Sequence, residues 1–456
     1  MRTSILLLAA VTLVLLGLAA APASAQDVAS YQPAADRIIA AALADSQAYS
    51  RLTELADRFG HRLSGSESLE RALDWILAAM QRDGLQNVRG EPVMVPRWVR
   101  GREFAEAVLP TRRPLPMLGL GGSIGTPPGG ITADLLVVSS FEELEARAAE
   151  ARGKIVLFDV PFTTYGATVQ YRLRGAVAAA RAGAVASLIR SVTPFSMRSP
   201  HTGAMAYDST VPRIPHAAIT VEDAMWLHRL QQRGERVAVH LEMAATTLPD
   251  VPSRNVVAEL VGRERPDEVV VLGGHIDSWD VGQGAMDDAG GSVAAWEAVR
   301  LLKRLGLVPR RTLRVVLWTN EENGLRGGNA YRDRHAAALD RHVLAIESDG
   351  GVFKPRGFGF GGSDSAYAVV RAVGALLRAI DADSVSRPGG GADIGPLMQR
   401  GVPGMGLAVA GERYFWYHHS DGDTVDKLDP REMALCVATL AVMAYVVADL
   451  PRPLPR

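Results

Sequence analysis

The stretch TLRVVLWTNEENGLRGG, Thr312–Gly328, decides how this chain is read. Its first seven residues form an apolar run broken only by Arg314. A short run of this kind suits a strand covered on both faces. Glu321 and Glu322 stand side by side just past its end. An isolated glutamate pair in a loop is ordinarily a solvated turn. The rest of the chain changes that reading.

On either side of this stretch, from Asn255 onward, apolar runs alternate with helical patterns. NVVAELVG and DEVVVLGGH precede it, and HVLAIES and VPGMGLAVA follow it. Helices are expected over GGSVAAWEAVRLLKRLG, after Gly327, over DSAYAVVRAVGALLRAI and over MALCVATLAVMAYVV. This alternation predicts an α/β fold with a mostly parallel sheet and helices on both faces. In open α/β sheets the functional crevice lies beyond the carboxyl ends of the strands. The polar residues collect there. His275 and Asp277 follow DEVVVLGG, Asp287 and Asp288 lie a little further on, and Asp349 follows HVLAIES. YFWYHHSDGDT adds His418 and His419. Unpaired, so many carboxylates would repel one another and raise each other's pKa. A divalent cation removes the problem. Imidazole with carboxylate and no thiolate suits Zn²⁺ in an open catalytic site, whereas Mg²⁺ and Ca²⁺ favour oxygen alone. No HExxH motif occurs, so the single-zinc helix arrangement is excluded.

A chain of 456 residues is long for one core. At 48% hydrophobic and 22% charged it has a globular composition. A formal net charge of -1 provides no footprint for a polyanion, so no nucleic-acid partner is expected. Residues 1–25 read as a secretory signal peptide: Arg2, an apolar stretch from Ile5 to Ala21, then Ala23-Ser24-Ala25. The mature chain is expected to be secreted, to the periplasm or the medium, with no membrane attachment after cleavage. The single cysteine, Cys436, allows no internal disulfide and reads as a core residue of the last helix. That apolar run, Met433–Val447, is short for a membrane span.

The expected organisation has residues 26–111 as the N-terminal part of the main domain and 112–249 as an inserted α/β lobe. Residues 250–456 complete the main domain. RRPLPMLGLGGSIGTPPGG, rich in glycine and proline, predicts no regular structure. The insert carries no proposed ligand, so its removal is expected to spare the metals. Ser199, His201 and Thr202 in its long loop could roof the cleft.

GGHIDSWDVGQGAMDDAGG, TNEENGLRGG, IESDGG and YFWYHHSDGDT, in this order, resemble the motifs of peptidase family M28, the co-catalytic two-zinc aminopeptidases and carboxypeptidases. Within it they are most similar to the plasma glutamate carboxypeptidase (carboxypeptidase Q) branch. GKIVLFD, AGAVASLIRS and IPHAAIT resemble the family's inserted protease-associated domain. The resemblance covers essentially the whole mature chain and implies the zinc exopeptidase fold with two Zn²⁺ per chain. It implies His275, Asp287, Glu322, Asp349 and His419 as metal ligands, with Asp287 bridging. His419, rather than His418, is the histidine four residues before Asp423. Glu321 is implied as general base to a zinc-activated water, and Asp277 as the residue orienting His275 through its carboxylate. Ala289-Gly290-Gly291 departs from the family's Ala-Ser-Gly beside the site. The implied substrate is a dipeptide or short peptide; the branch is dimeric, so a homodimer is the corresponding expectation. The alternatives are a non-catalytic binding protein on the same scaffold and a single-zinc enzyme like glutaminyl cyclase. Softer candidates are Asp288 as a helix cap, Asp393 as a cap or amine partner, Tyr414 and Tyr417 at the substrate carbonyl, and His418 as a supporting or core histidine.

Overall fold

The computed structural model describes residues 28–456. The signal-peptide reading of residues 1–25 lies outside the described residues. Two eight-stranded sheets organise the chain.

The main sheet is built from β1 (Gln86–Val99), β2 (Thr246–Leu260), β3 (Arg265–His275), β4 (Arg311–Trp318), β5 (His342–Glu347), β6 (Pro355–Gly361), β7 (Ser384–Ser386) and β8 (Gly404–Val409). Its order is β1-β2-β4-β3-β5-β8-β6-β7. The centre, β4-β3-β5-β8, is parallel; β1 pairs antiparallel with β2, β2 with β4 and β6 with β8, while β7 runs parallel to β6 at the edge. The apolar runs are explained by where alternate side chains go. Leu313, Val315 and Leu317 of β4 enter the larger core, while Val316 and Trp318 enter a smaller one on the opposite face. Val270 and Leu272 against Val269 and Val271 repeat this in β3. Both faces are therefore apolar, as a covered parallel sheet requires.

Helices Gln32–Leu43, Gln47–Phe59, Glu67–Arg82, Gly290–Arg304 and Pro430–Asp449 supply the larger core. Ser66 caps the third of these, its Oγ accepting from Leu69 N at 3.2 Å. Pro430–Asp449, with 20 residues, is longer than the run read from sequence. Among the described residues it alone is long and apolar enough to cross a membrane, and 89% of its apolar window is buried inside the protein. Cys436 lies buried within it.

The second sheet runs Arg113–Pro114, Glu103–Leu109, Ala238–Met243, Ile131–Val138, Ile155–Phe158, Ala186–Arg190, His216–Ile219, Met117–Gly119. It is strung between the far ends of β1 and β2, which pair as a long antiparallel ribbon out to Val99↔Thr246. No strand is shared between the sheets. Its first strand begins at Glu103, before residue 112, because Glu103–Leu109 pairs with Ala238–Met243. The glycine- and proline-rich stretch is not wholly irregular. Met117–Gly119 forms an edge strand against His216–Ile219, and Arg113–Pro114 forms one against Glu103–Leu109. Edge positions tolerate proline and glycine because one side of the strand needs no ladder.

Candidate metal centre

Parallel β3, β4 and β5 end together: His275 pairs with Trp318, and Gly273 with Glu347. The residues that follow them are therefore brought to one edge. Gly274 permits a close approach there. A Cβ on it would stand 2.2 Å from Asp288 Oδ2 and 2.8 Å from Ser348 O.

Asp287 sits between two histidines. Its Oδ1 is 3.1 Å from His275 Nε2, and its Oδ2 is 3.2 Å from His419 Nε2. Asp349 Oδ1 lies 3.3 Å from His275 Nε2, and Glu322 Oε2 lies 3.0 Å from His419 Nε2. The five residues implied as ligands thus form two groups that share Asp287. Four ligand atoms held ~2.0–2.1 Å from a tetrahedral zinc stand ~3.3–3.4 Å apart. The observed separations are close to that edge length. His418 is also brought in, with Nε2 3.5 Å from Asp287 Oδ2 and its ring stacked on His419 at 3.5 Å. His275, Asp287 and Asp349 converge tightly enough to hold an ion, and so do Asp287, His418 and His419. Glu322 joins the second group through His419.

The donor set fits a cation on two further counts. Asp287 Oδ2 and Glu322 Oε1 are buried without a hydrogen-bond partner, which is costly unless something else satisfies them. The surroundings are also strongly negative. Asp277, Asp287, Asp288, Glu322, Glu347, Asp393 and Asp423 are buried, with Glu321 and Asp349 half-buried. Burial opposes a charge on His275 and His419, yet the facing carboxylates prevail. Asp349 and Asp287 raise His275 well above its usual range, and Glu322 and Asp287 raise His419 to about 10.

Supporting bonds fix each group. Asp277 does not orient His275 as the sequence suggests. His275 Nδ1 meets the main-chain carbonyl of Asp277 at 2.9 Å, and the nearest carboxylate oxygen is 3.9 Å away. The carboxylate instead accepts from the main-chain N–H groups of Glu321 (3.1 Å) and Glu322 (3.3 Å), tying the end of β4 to that of β3. Asp288 caps Gly291 N at 3.1 Å and also accepts from His275 N at 3.1 Å, so it braces the backbone at His275. Glu321 belongs to neither ligand group. Burial raises its pKa well above the usual range; His275 opposes the rise, and Asp349 and Glu322 add to it.

Three contributors escaped the sequence reading. Asp423 accepts from Met286 N at 2.7 Å and Asp287 N at 3.1 Å, holding the turn at Asp287. Its only sequence signal was its fixed spacing from His419. Arg62, fully buried, donates to the carbonyls of Ile276, Gly60, Gln283 and Gly284 at 2.7–2.8 Å, and places a positive charge under the acidic cluster. Glu347, at the end of β5, accepts from Ala392 N and Ile394 N at 2.8 and 2.9 Å. Asp393 does not cap: both its carboxylate oxygens are buried without a hydrogen-bond partner.

Residues 255–444 match peptidase family M28. The chain is 50% identical to carboxypeptidase Q of Mus musculus over 434 residues, covering 94% of this chain and 92% of that protein. It is 49% identical to carboxypeptidase Q of Homo sapiens over the same shares. A crystal structure of a peptidase M28 precursor from Shewanella amazonensis SB2B superposes with a TM-score of 0.90 at 36% identity, covering 94% of this chain and all of that one. The zinc aminopeptidase BSAP from Bacillus subtilis, at 20% identity and TM-score 0.66, covers 88% of this chain and 94% of its own and shares the fold.

Proposed function

The chain belongs to peptidase family M28 and is a metallo-exopeptidase; from that premise we propose that it is a secreted enzyme hydrolysing dipeptides or short peptides at a two-zinc centre. His275, Asp287 and Asp349 would hold one ion and Asp287, Glu322 and His419 the other. The observation that carries the reading is Asp287, whose two oxygens face two separate histidines at 3.1 and 3.2 Å. Zinc bound there supplies Lewis acidity that polarises the scissile carbonyl and lowers the pKa of a coordinated water to ~7.

The chain's own residues divide the remaining work. Glu321 is the general base. It takes the proton of the attacking water and returns it to the leaving amine. A raised pKa is what such a group needs, since a base works best near the operating pH. Asp277 holds the Glu321–Glu322 backbone, so that Glu322 would hold its ion while Glu321 faces the water. Asp423 and Asp288 keep Asp287 and His275 from turning away.

The test is a dipeptide panel assayed with and without a chelator, alongside elemental analysis. Activity that disappears on chelation and returns with Zn²⁺, at two zinc per chain, supports the reading. Undiminished activity after prolonged chelation, with no metal found, overturns it.

A further inference from the structure

The two histidines that face Asp287 are supported from different parts of the molecule. His275 finds the partner for its Nδ1 two residues along its own chain, at Asp277 O. His419 finds none in the main sheet. Its Nδ1 faces Thr202 O at 3.3 Å and Arg172 Nη1 at 3.3 Å. Both come from the second sheet's layer: Thr202 lies in the loop after Ala186–Arg190, and Arg172 lies on helix Tyr165–Arg181.

The grip extends along the backbone. Thr202 N donates to His419 O at 2.9 Å, His201 Nδ1 meets His418 O at 2.6 Å, and Thr193 Oγ1 donates to Phe415 O at 2.6 Å. His419 needs such restraint, because its φ of +61° lies in the left-handed region, which an L-residue adopts at a cost of ~1–2 kcal/mol. A strained residue persists only where its surroundings over-determine it.

The tautomer follows from the carboxylates. Nε2 of His419 faces Glu322 and Asp287, so it is the nitrogen with a free lone pair when it ligates, and Nδ1 carries the hydrogen. That hydrogen has one acceptor, Thr202 O. Arg172 cannot donate to a protonated Nδ1, and its Nη1 lies 3.4 Å from the same carbonyl. Its other bonds fix it in place: Nη2 to Tyr165 OH at 2.9 Å and Nε to Ala204 O at 3.2 Å. The Thr202 hydroxyl ties the loop to Gly119 O at 2.8 Å.

We infer that Thr202, through its main-chain carbonyl and held by Arg172, is the positioning residue for His419, so that the Glu322 half of the metal centre is completed by the second sheet. The inference rests on the reading of His419 as a ligand. It reverses the expectation that the insert, having no ligand of its own, is dispensable for metal binding. A ligating histidine gives its other N–H to an acceptor that fixes the ring, and removing such support typically costs 10–100-fold in metal affinity.

The test is zinc titration of the full mature chain and four variants, with thermal melting of each. Arg172→Met removes the guanidinium that steadies the Thr202 carbonyl. Thr202→Val keeps the carbonyl and removes the hydroxyl anchor. Gly203→Ala forces a side chain onto a residue at φ +136°, where a Cβ would meet Arg172 Nη1 at 2.2 Å. One of two zinc sites is expected to weaken ~10–100-fold in Arg172→Met and Gly203→Ala, less in Thr202→Val, while the other stays at wild-type affinity. Arg172→Lys, which keeps the charge without the planar fork, is expected to restore only part of the loss. Two sites of unchanged affinity in folded variants, even with lowered melting temperatures, would show a merely structural role and overturn the inference. A variant without a cooperative melt is set aside in favour of Thr202→Val, the mildest change, on which an unaltered second site is equally decisive. Fewer than two zinc per chain in the wild type would instead sink the metal-centre reading itself.

Discussion

The carboxylate of Asp277 accepts the main-chain N–H of Glu321 at 3.1 Å, while the carbonyl of the same Asp277 takes Nδ1 of His275. One residue therefore serves both strand ends through different atoms. The two services can be separated by mutation. Asp277→Asn keeps the carbonyl and so keeps His275 oriented. Its amide replaces one acceptor oxygen with a donor facing a buried N–H, a mismatch of about 1–3 kcal/mol. The expected result is near-normal zinc content with a fall in kcat of about 10–100-fold, the usual cost of losing a partner of this kind. Zinc loss as complete as in His275→Ala would mean that the carboxylate orients His275 after all. Elemental analysis and kcat on the same preparation decide it.

Arg62 is expected to be indispensable to the loop that carries Asp287. Burial pulls its pKa down to about 10, with Asp423 and Asp277 opposing the fall, so it stays charged at neutral pH. Arg62→Met leaves four carbonyls, two of them buried, without their donor. Stability should fall by at least about 3 kcal/mol, the order seen when a buried charge network is broken. Arg62→Lys should recover little, because an ammonium cannot reach four carbonyls arranged around a planar fork. Urea unfolding of the two variants tests this; a loss below about 1 kcal/mol in both would contradict it.

His342, at the start of β5 and away from the centre, should give the protein an acid-sensitive term. Its Nδ1 faces Ala338 O at 2.9 Å and its Nε2 faces the Tyr331 hydroxyl at 3.0 Å, a pattern that suits the neutral ring. Burial lowers its pKa from 6.5 to about 4; the Ala338 carbonyl opposes this and Arg314 adds to it. A histidine with a depressed folded pKa binds fewer protons folded than unfolded between those values. Its contribution to stability is therefore complete above pH 6.5 and is lost as pH falls toward about 4. His342→Gln should flatten the pH dependence of unfolding in that window. An unchanged slope would show that the ring takes up its proton at the same pH folded and unfolded.

Much of the fold was legible because parallel strands covered on both faces leave short apolar runs, as in β3 and β4, with carboxylates and imidazoles just past their ends. The carboxylates and imidazoles of the centre were visible for the same reason. The supporting bonds were not. Thr202, Asp277 and Ala338 act through main-chain carbonyls, which every residue has, so no side-chain pattern marks them. Asp423 and Glu347 work by accepting main-chain N–H groups from segments distant in sequence. Met117–Gly119 becomes a strand only because His216–Ile219 offers it an edge, a tertiary cause that overrides local glycine and proline.

The central claim is that adjacent, chemically identical glutamates do different jobs, and zinc stoichiometry with kcat for Glu321→Gln and Glu322→Gln tests it most directly. Glu322 Oε2 lies 3.0 Å from His419 Nε2 and Glu321 is in neither ligand group. Glu321→Gln should keep two zinc ions and lose ~10²–10⁴-fold in kcat, the contribution of a general base. Glu322→Gln should bind one zinc weakly, because an amide oxygen is the poorer ligand, and excess Zn²⁺ should partly restore its turnover. Loss of zinc from Glu321→Gln with two ions retained in Glu322→Gln would reverse the roles, and wild-type turnover in both would remove the pair from the mechanism.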